Sequence, residues 1–231
     1  MKKGIESNIM AKYTTSMLVI MGTLMANNLN GTEIKKYEWY ASESAPNGFP
    51  MQIVSGSFSL ADESSVRIPS RKSIHNGWGN SRSNDIVGPA HKALPKSMKI
   101  KFYSYTEDKF YSGNFNLPYE KILEFFNEGY LSPRNGEKIT YDEIISGVAP
   151  GGDVAVWLWG VDKRTTVFLG KADEDKDIPW KVINDNPDYP REKYIRLVID
   201  DSISDEEKKY LDKYDVPIGR WEKYHKHRYN W

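Results

Sequence analysis

Apolar and polar residues alternate along Lys99 to Asn116, and that period of two predicts a β-hairpin. Ile100, Phe102 and Ser104 fall on one face, and Lys99, Lys101, Tyr103 and Tyr105 on the other. Thr106, Glu107 and Asp108 supply the turn. The period then changes. Tyr119, Ile122, Leu123 and Phe126 recur at helical spacing between Pro118, which opens a helix, and Gly129, which ends it. Val154 to Trp159 is apolar at every position, as in a central strand buried on both faces. Gly160 to Lys163 turns, and Arg164 to Leu169 returns.

The remaining segments read less sharply. Residues 37–44 and Met51 to Leu60 read as strands separated by the turn Ala45-Pro46-Asn47-Gly48, with a bulge expected at Gly56. Residues 61–97, rich in Ser, Asn, Gly and Pro, predict a long irregular stretch. Thr140-x-x-Glu143 has the form of a capping box and predicts a short helix ending at Gly147. Ala149-Pro150-Gly151-Gly152 then joins helix to strand. Residues 173–177 predict a polar linker. A helix is expected from Pro190 or Arg191 to about Ile199. Another is expected after the Ser204-x-x-Glu207 box, with Leu211 and Tyr214 inward and Pro217 and Gly219 as its stop. No regular strand–helix alternation and no internal repeat appears. The predicted class is α+β: an antiparallel or mixed β-sheet packed with a few helices, in a single domain.

The N-terminus departs from this pattern. Lys2, Lys3 and Lys12 precede Ser16 to Ala26, an uncharged and mostly apolar run of 11 residues. That is the layout of a secretory signal, and it is too short for a transmembrane helix of about 20 residues. An ordinary N-terminal helix is the competing reading, and Met10 is an alternative start. The expected organisation is a signal-like segment over 1–26, a short linker over 27–36 and the domain over 37–231.

Charge and composition remove several functions. Lys plus Arg and Asp plus Glu number 32 each, so the basic excess of most nucleic-acid binders is missing. With no cysteine, disulfides, thiolate metal sites, a cysteine nucleophile and a Cys-linked lipid anchor are excluded. The balance is local. Residues 173–215 hold 14 acidic against 8 basic residues, whereas 216–231 hold 4 basic and 1 acidic, with His225 and His227.

Catalytic and ligand motifs are weak. No G-x-S-x-G and no phosphate-binding glycine loop occurs. His75 and Asp85 in the long loop could join a serine, but such sets arise by chance. His225-x-His227 lacks a carboxylate at zinc spacing, so no metal is expected. Asp173, Asp175 and Asp177 begin like a calcium loop. Ile178 then stands where glycine is needed, and Asn184 where a bidentate glutamate is needed. No cofactor is expected. The residues most suggestive of binding are aromatic: Trp78 in the loop Asn76-Gly77-Trp78-Gly79, and Trp221, Tyr224 and Trp231 in the tail. Trp78 either plugs the core or stands exposed as an anchor. The tail is expected to dock on the domain through Trp221 and Tyr224.

Several segments together resemble a bacterial family of envelope lipoproteins, domain of unknown function 2931. They are Tyr37-Glu38-Trp39-Tyr40, Ala45 to Pro50, Gly77-Trp78-Gly79, Val87-Gly88-Pro89, Phe102 to Phe126, Ala149 to Gly160, and Pro217 to Trp231. The resemblance spans about 37–231. It implies an exported protein of the periplasm or cell envelope, with no catalytic residues to carry over. Asn27 stands where a lipidated Cys is expected in the family. The expected function is a non-catalytic envelope protein, with a toxin-binding immunity protein as its specific form and a protein toxin or another envelope protein as partner. The alternatives are a hydrolase of lipid or cell-wall substrate and a glycan-binding module. The first requires a nucleophile, a base and an orienting group in one cleft. The second requires two coplanar exposed rings.

Overall fold

The computed structural model describes residues 34–81, 88–206, 208–209 and 218–223. The signal-like segment, Asp85, Tyr224, His225, His227 and Trp231 lie outside the described residues. From Lys36 onward the described chain forms one compact unit. It is mostly β-sheet, with a few helices.

The strands are β1 (Tyr37–Glu38), β2 (Tyr40–Ser44), β3 (Met51–Leu60), β4 (Ser65–Arg67), β5 (Ser73–Ile74), β6 (His91–Lys92) and β7 (Pro95–Ser104). They continue with β8 (Lys109–Asn116), β9 (Tyr130–Leu131), β10 (Lys138–Ile139), β11 (Glu143–Ala149), β12 (Asp153–Trp159), β13 (Arg164–Lys171) and β14 (Asp173–Glu174). Helix α1 (Tyr119–Glu128) follows β8, and α2 (Arg191–Ser202) follows β14. One main sheet runs β13-β12-β11-β2 and the other runs β14-β8-β7-β3-β4, with β5 also on β3; β1 pairs with β6 and β9 with β10 in two small ribbons. The β2–β11 pair is parallel and the other pairs are antiparallel, so the four-stranded sheet is mixed.

The hairpin forms as β7 and β8, with Tyr105 to Asp108 turning. One face is buried along its length and the other only near the turn. Ile100 and Phe102 enter the main core, and Tyr103 and Tyr105 pack under α2 with Phe110, Trp180, Tyr194 and Val198. Asp108 in that turn accepts bonds from the Tyr103 hydroxyl and the Arg191 guanidinium, which fastens α2 to the hairpin. In α1, Ile122 and Phe126 face the core, and Gly129 ends the helix at φ 64°, where a Cβ would meet the Ile139 carbonyl.

The two sheets share the main core. Ile144, Val148, Val154, Val156, Leu158 and Val167 of one meet Met51, Ile53, Phe58, Met98, Ile100 and Phe102 of the other. Strand β12 lies between β11 and β13, as its apolar run predicts. Its other face, with Ala155 and Trp157, is covered by a second cluster of Phe49, Trp78, Ile145, Ala149 and Trp221.

Five local expectations are corrected. The Thr140 capping box does not start a helix. Residues 143–149 form β11, because β-branched Ile144, Ile145 and Val148 fill the gap between β2 and β12. Pro150 to Gly152 therefore joins two strands, and its Gly151 N–H donates to both carboxylate oxygens of Glu107 at 3.0 and 2.9 Å. The 173–177 linker contains β14, which extends the larger sheet at Tyr111 and Ser112. The register of β3 shifts between Ile53 and Ser55 and between Ser59 and Leu60, not at Gly56, which packs against Ile68. The long stretch 61–97 also carries β4, β5, β6 and the start of β7. Residues 205–206 and 208–209 are helical beyond the Ser204 box, whereas Glu207, Leu211 and Tyr214 lie outside the described residues.

Candidate binding groove

The outer face of the four-stranded sheet is built in rows by its registers. Tyr40, Glu143, Trp159 and Arg164 align across the four strands, and Ser42, Ile145, Trp157 and Thr166 form the next row. Two segments cover this face. The first is the loop 76–81. Ser44 donates its hydroxyl to the Gly77 carbonyl and accepts the Gly79 N–H, both at 2.7 Å. Ser42 and Ser81 share a hydroxyl bond of 2.8 Å. These serines, on the outward positions of β2, hold the loop so that Trp78 lies over Gly147 and edge-on to Trp157, at 4.8 Å and 89°.

The second covering segment is 218–223. Asp153 Oδ2 accepts the Trp221 indole N–H at 2.7 Å and the Gly219 N–H at 2.6 Å. Trp221 packs edge-on to Phe49 at 5.1 Å. Arg164 ties the two segments together, donating Nη1 to the Trp78 carbonyl and Nη2 to Glu222, each at 2.6 Å. Trp78 and Trp221 are therefore interior rings tilted at 46° to each other, and they present no exposed platform. Of its two expected readings Trp78 takes the core plug, and Trp221 docks the tail segment on the domain as expected. Their packing positions the tail. Tyr224 and Trp231 lie outside the described residues.

Beside this latch the face opens into a groove of about 740 Å³. Its floor is the half-buried Trp159 and Arg164. Its walls are Asn80 and Ser81 on one side and Val161, Asp162 and Arg134 on the other. Val161, in the β12–β13 turn, is 62% exposed, and Leu131, next to Ser132, is 70% exposed. The Asp162 side chain is only 4% exposed. Its Oδ2 accepts the Ser132 hydroxyl, and its Oδ1 is buried without a hydrogen-bond partner. Glu143 Oε2 and Trp157 Nε1 are in the same condition. Burial raises the Glu143 carboxyl above its ordinary range, with the Ser81 hydroxyl opposing and the Asp142 charge adding to the rise. Buried polar atoms without partners are rare in folded proteins, and three of them surround or underlie this groove.

Of the chance set His75 and Asp85, only His75 is among the described residues. His75 borders a separate hollow beneath α2, with Lys72 and Tyr194. Among the described residues, no group of three His, Asp or Glu side chains is placed to hold a metal. Asp175 receives the Asp177 N–H at 3.2 Å and pairs with Lys101 at 3.6 Å, in a solvated acidic loop. No described helix is long and apolar enough to cross a membrane.

Fold and face together define a β-rich protein with two main sheets, in which a latched tail segment borders an open polar and aromatic groove. The chain belongs to the family described as Protein of unknown function (DUF2931), whose family model matches residues 23–219. No curated protein and no solved structure matches it.

Proposed function

We propose that this chain is an exported, non-catalytic protein of the bacterial envelope that binds another protein through the groove beside Trp159. The observation that carries this reading is the make-up of that face. A tryptophan on the floor lies beside exposed Val161 and Arg134, and tryptophan and arginine are the residue types enriched where proteins bind one another. Export is supported by the signal-like pattern of residues 1–26. A secreted toxin is the partner suggested by the resemblance to small envelope proteins. The protein would then act by occupying the toxin's surface. A glycan-binding role is less well supported, because the two best placed tryptophans are buried and mutually tilted.

The test is affinity capture from envelope fractions with the wild-type chain and Val161→Asp side by side. The expected result is one stoichiometric protein held by the wild type and lost from the variant. Equal capture by both would place the interface elsewhere.

A further inference from the structure

Charge around the groove is not evenly compensated. Arg164 is neutralised by Glu222 at 2.6 Å. Arg134, whose side chain is 75% exposed, reaches Asp162 only at 4.0 Å. Lys163 is exposed with its amine 5.3 Å from the Tyr130 ring centroid, and among the described residues it forms no ion pair. The nearby acidic groups are already engaged or buried: Glu222 pairs with Arg164, and Glu137, in the turn that carries Arg134, accepts the Asn135 amide at 2.7 Å. Asp162 is buried and turned to Ser132, and Glu143 is half-buried behind Ser81. This side of the groove therefore presents two under-compensated cations, Arg134 and Lys163, flanking Val161. Asp162, which also lines the groove, has its side chain buried, and its Oδ1 has no hydrogen-bond partner.

We infer that the groove takes an extended acidic segment of a partner protein. An apolar side chain of that segment seats against Trp159 and Val161, and its carboxylates meet Arg134 and Lys163. This rests on the protein-binding reading above and gives the partner a chemistry. Arginine can grip a carboxylate with two parallel bonds, and the exposed cations raise the encounter rate with an acidic partner. An apolar residue bracketed by charges supplies the anchor.

The test uses the full chain and a phage-displayed library of random dodecapeptides. Enriched peptides are synthesised and titrated by fluorescence anisotropy against the wild type, Arg134→Glu/Lys163→Glu and Val161→Asp. All three positions are on the protein surface or its rim, so unchanged melting curves serve as the folding control. The expected peptides are net negative with one large apolar residue. Their affinity should fall about tenfold or more in both variants, and severalfold between about 50 and about 300 mM salt. Neutral or basic peptides that lose affinity in Val161→Asp but not in the charge reversal would overturn the acidic segment while leaving the groove as a protein site. No enrichment, or peptides indifferent to Val161→Asp, would overturn both.

Discussion

The indole N–H of Trp221 donates to Asp153 Oδ2 at 2.7 Å, so the C-terminal segment is fixed to the first residue of the central strand. The same carboxylate uses its other oxygen on Lys171, at 3.2 Å. One acidic side chain thus joins the start of β12, the end of β13 and the tail. The groove borders this junction through Glu222 and Arg164.

Trp221→Ala removes a buried ring and leaves Asp153 without its indole donor. A large-to-small change of this kind costs about 3–5 kcal/mol. Chemical denaturation should show a loss of that size. The milder Asp153→Asn should lose less, because its amide oxygen can still accept. An unchanged midpoint for Trp221→Ala would mean that the segment is not part of the folded unit.

Val156 is fully buried in the main core, on a strand paired on both sides. Val156→Asp places a carboxylate there with no partner, a change too costly for a domain whose net stability is about 5–15 kcal/mol. The variant should yield no soluble folded protein in an expression and circular-dichroism assay. A folded variant with the wild-type melting temperature would contradict the position of β12.

At Gly147 an added Cβ would lie 2.3 Å from the outer ring of Trp157 and 3.1 Å from Trp78. Gly147→Ala should therefore cost about 1–3 kcal/mol through overpacking. Trp157→Phe removes the atoms that clash. In a double-mutant cycle the two changes should couple favourably, the pair losing less than the sum of the singles. Strict additivity would show that Trp157 does not lie over Gly147.

Burial is the main cause of the raised Glu143 carboxyl, so the folded state holds that proton more tightly than the unfolded chain does. No penalty exists below the ordinary value of 4.5, and stability is lost as pH rises from there through the raised value. Glu143→Gln should flatten this decline, measured as urea midpoints between about pH 4 and about pH 8. Part of the slope should persist, because the neighbouring Asp142 carboxyl is raised in the same direction, chiefly by desolvation. A slope identical to the wild type would remove Glu143 as its source.

The parts of this fold that the sequence made legible are those set by local pattern. The β7–β8 hairpin follows from alternation, α1 from helical spacing between Pro118 and Gly129, and β12 from an apolar run on both faces. Strand β11 was not legible. Thr140 and Glu143 satisfy a local capping rule, but the choice is made by Glu143 pairing with Tyr40, far earlier in the chain, and with Trp159. Trp78 and Trp221 stood out as aromatic residues in unusual places. That they cover one sheet face together depends on Ser44, Asp153 and Arg164, which carry no sequence signal of that role. The groove draws on four separated stretches, 80–81, 134, 159–166 and 222. Its one local hint is Val161, an apolar residue in a charged turn.

The central claim is that the groove beside Trp159 meets a protein partner. Its most direct measurement is in-cell photo-cross-linking with a photoreactive amino acid at position 161, and at exposed Arg67 on β4 of the other sheet as control. The account predicts one discrete cross-linked protein from position 161 and none from position 67. The same product from both positions, or none from position 161, would contradict it.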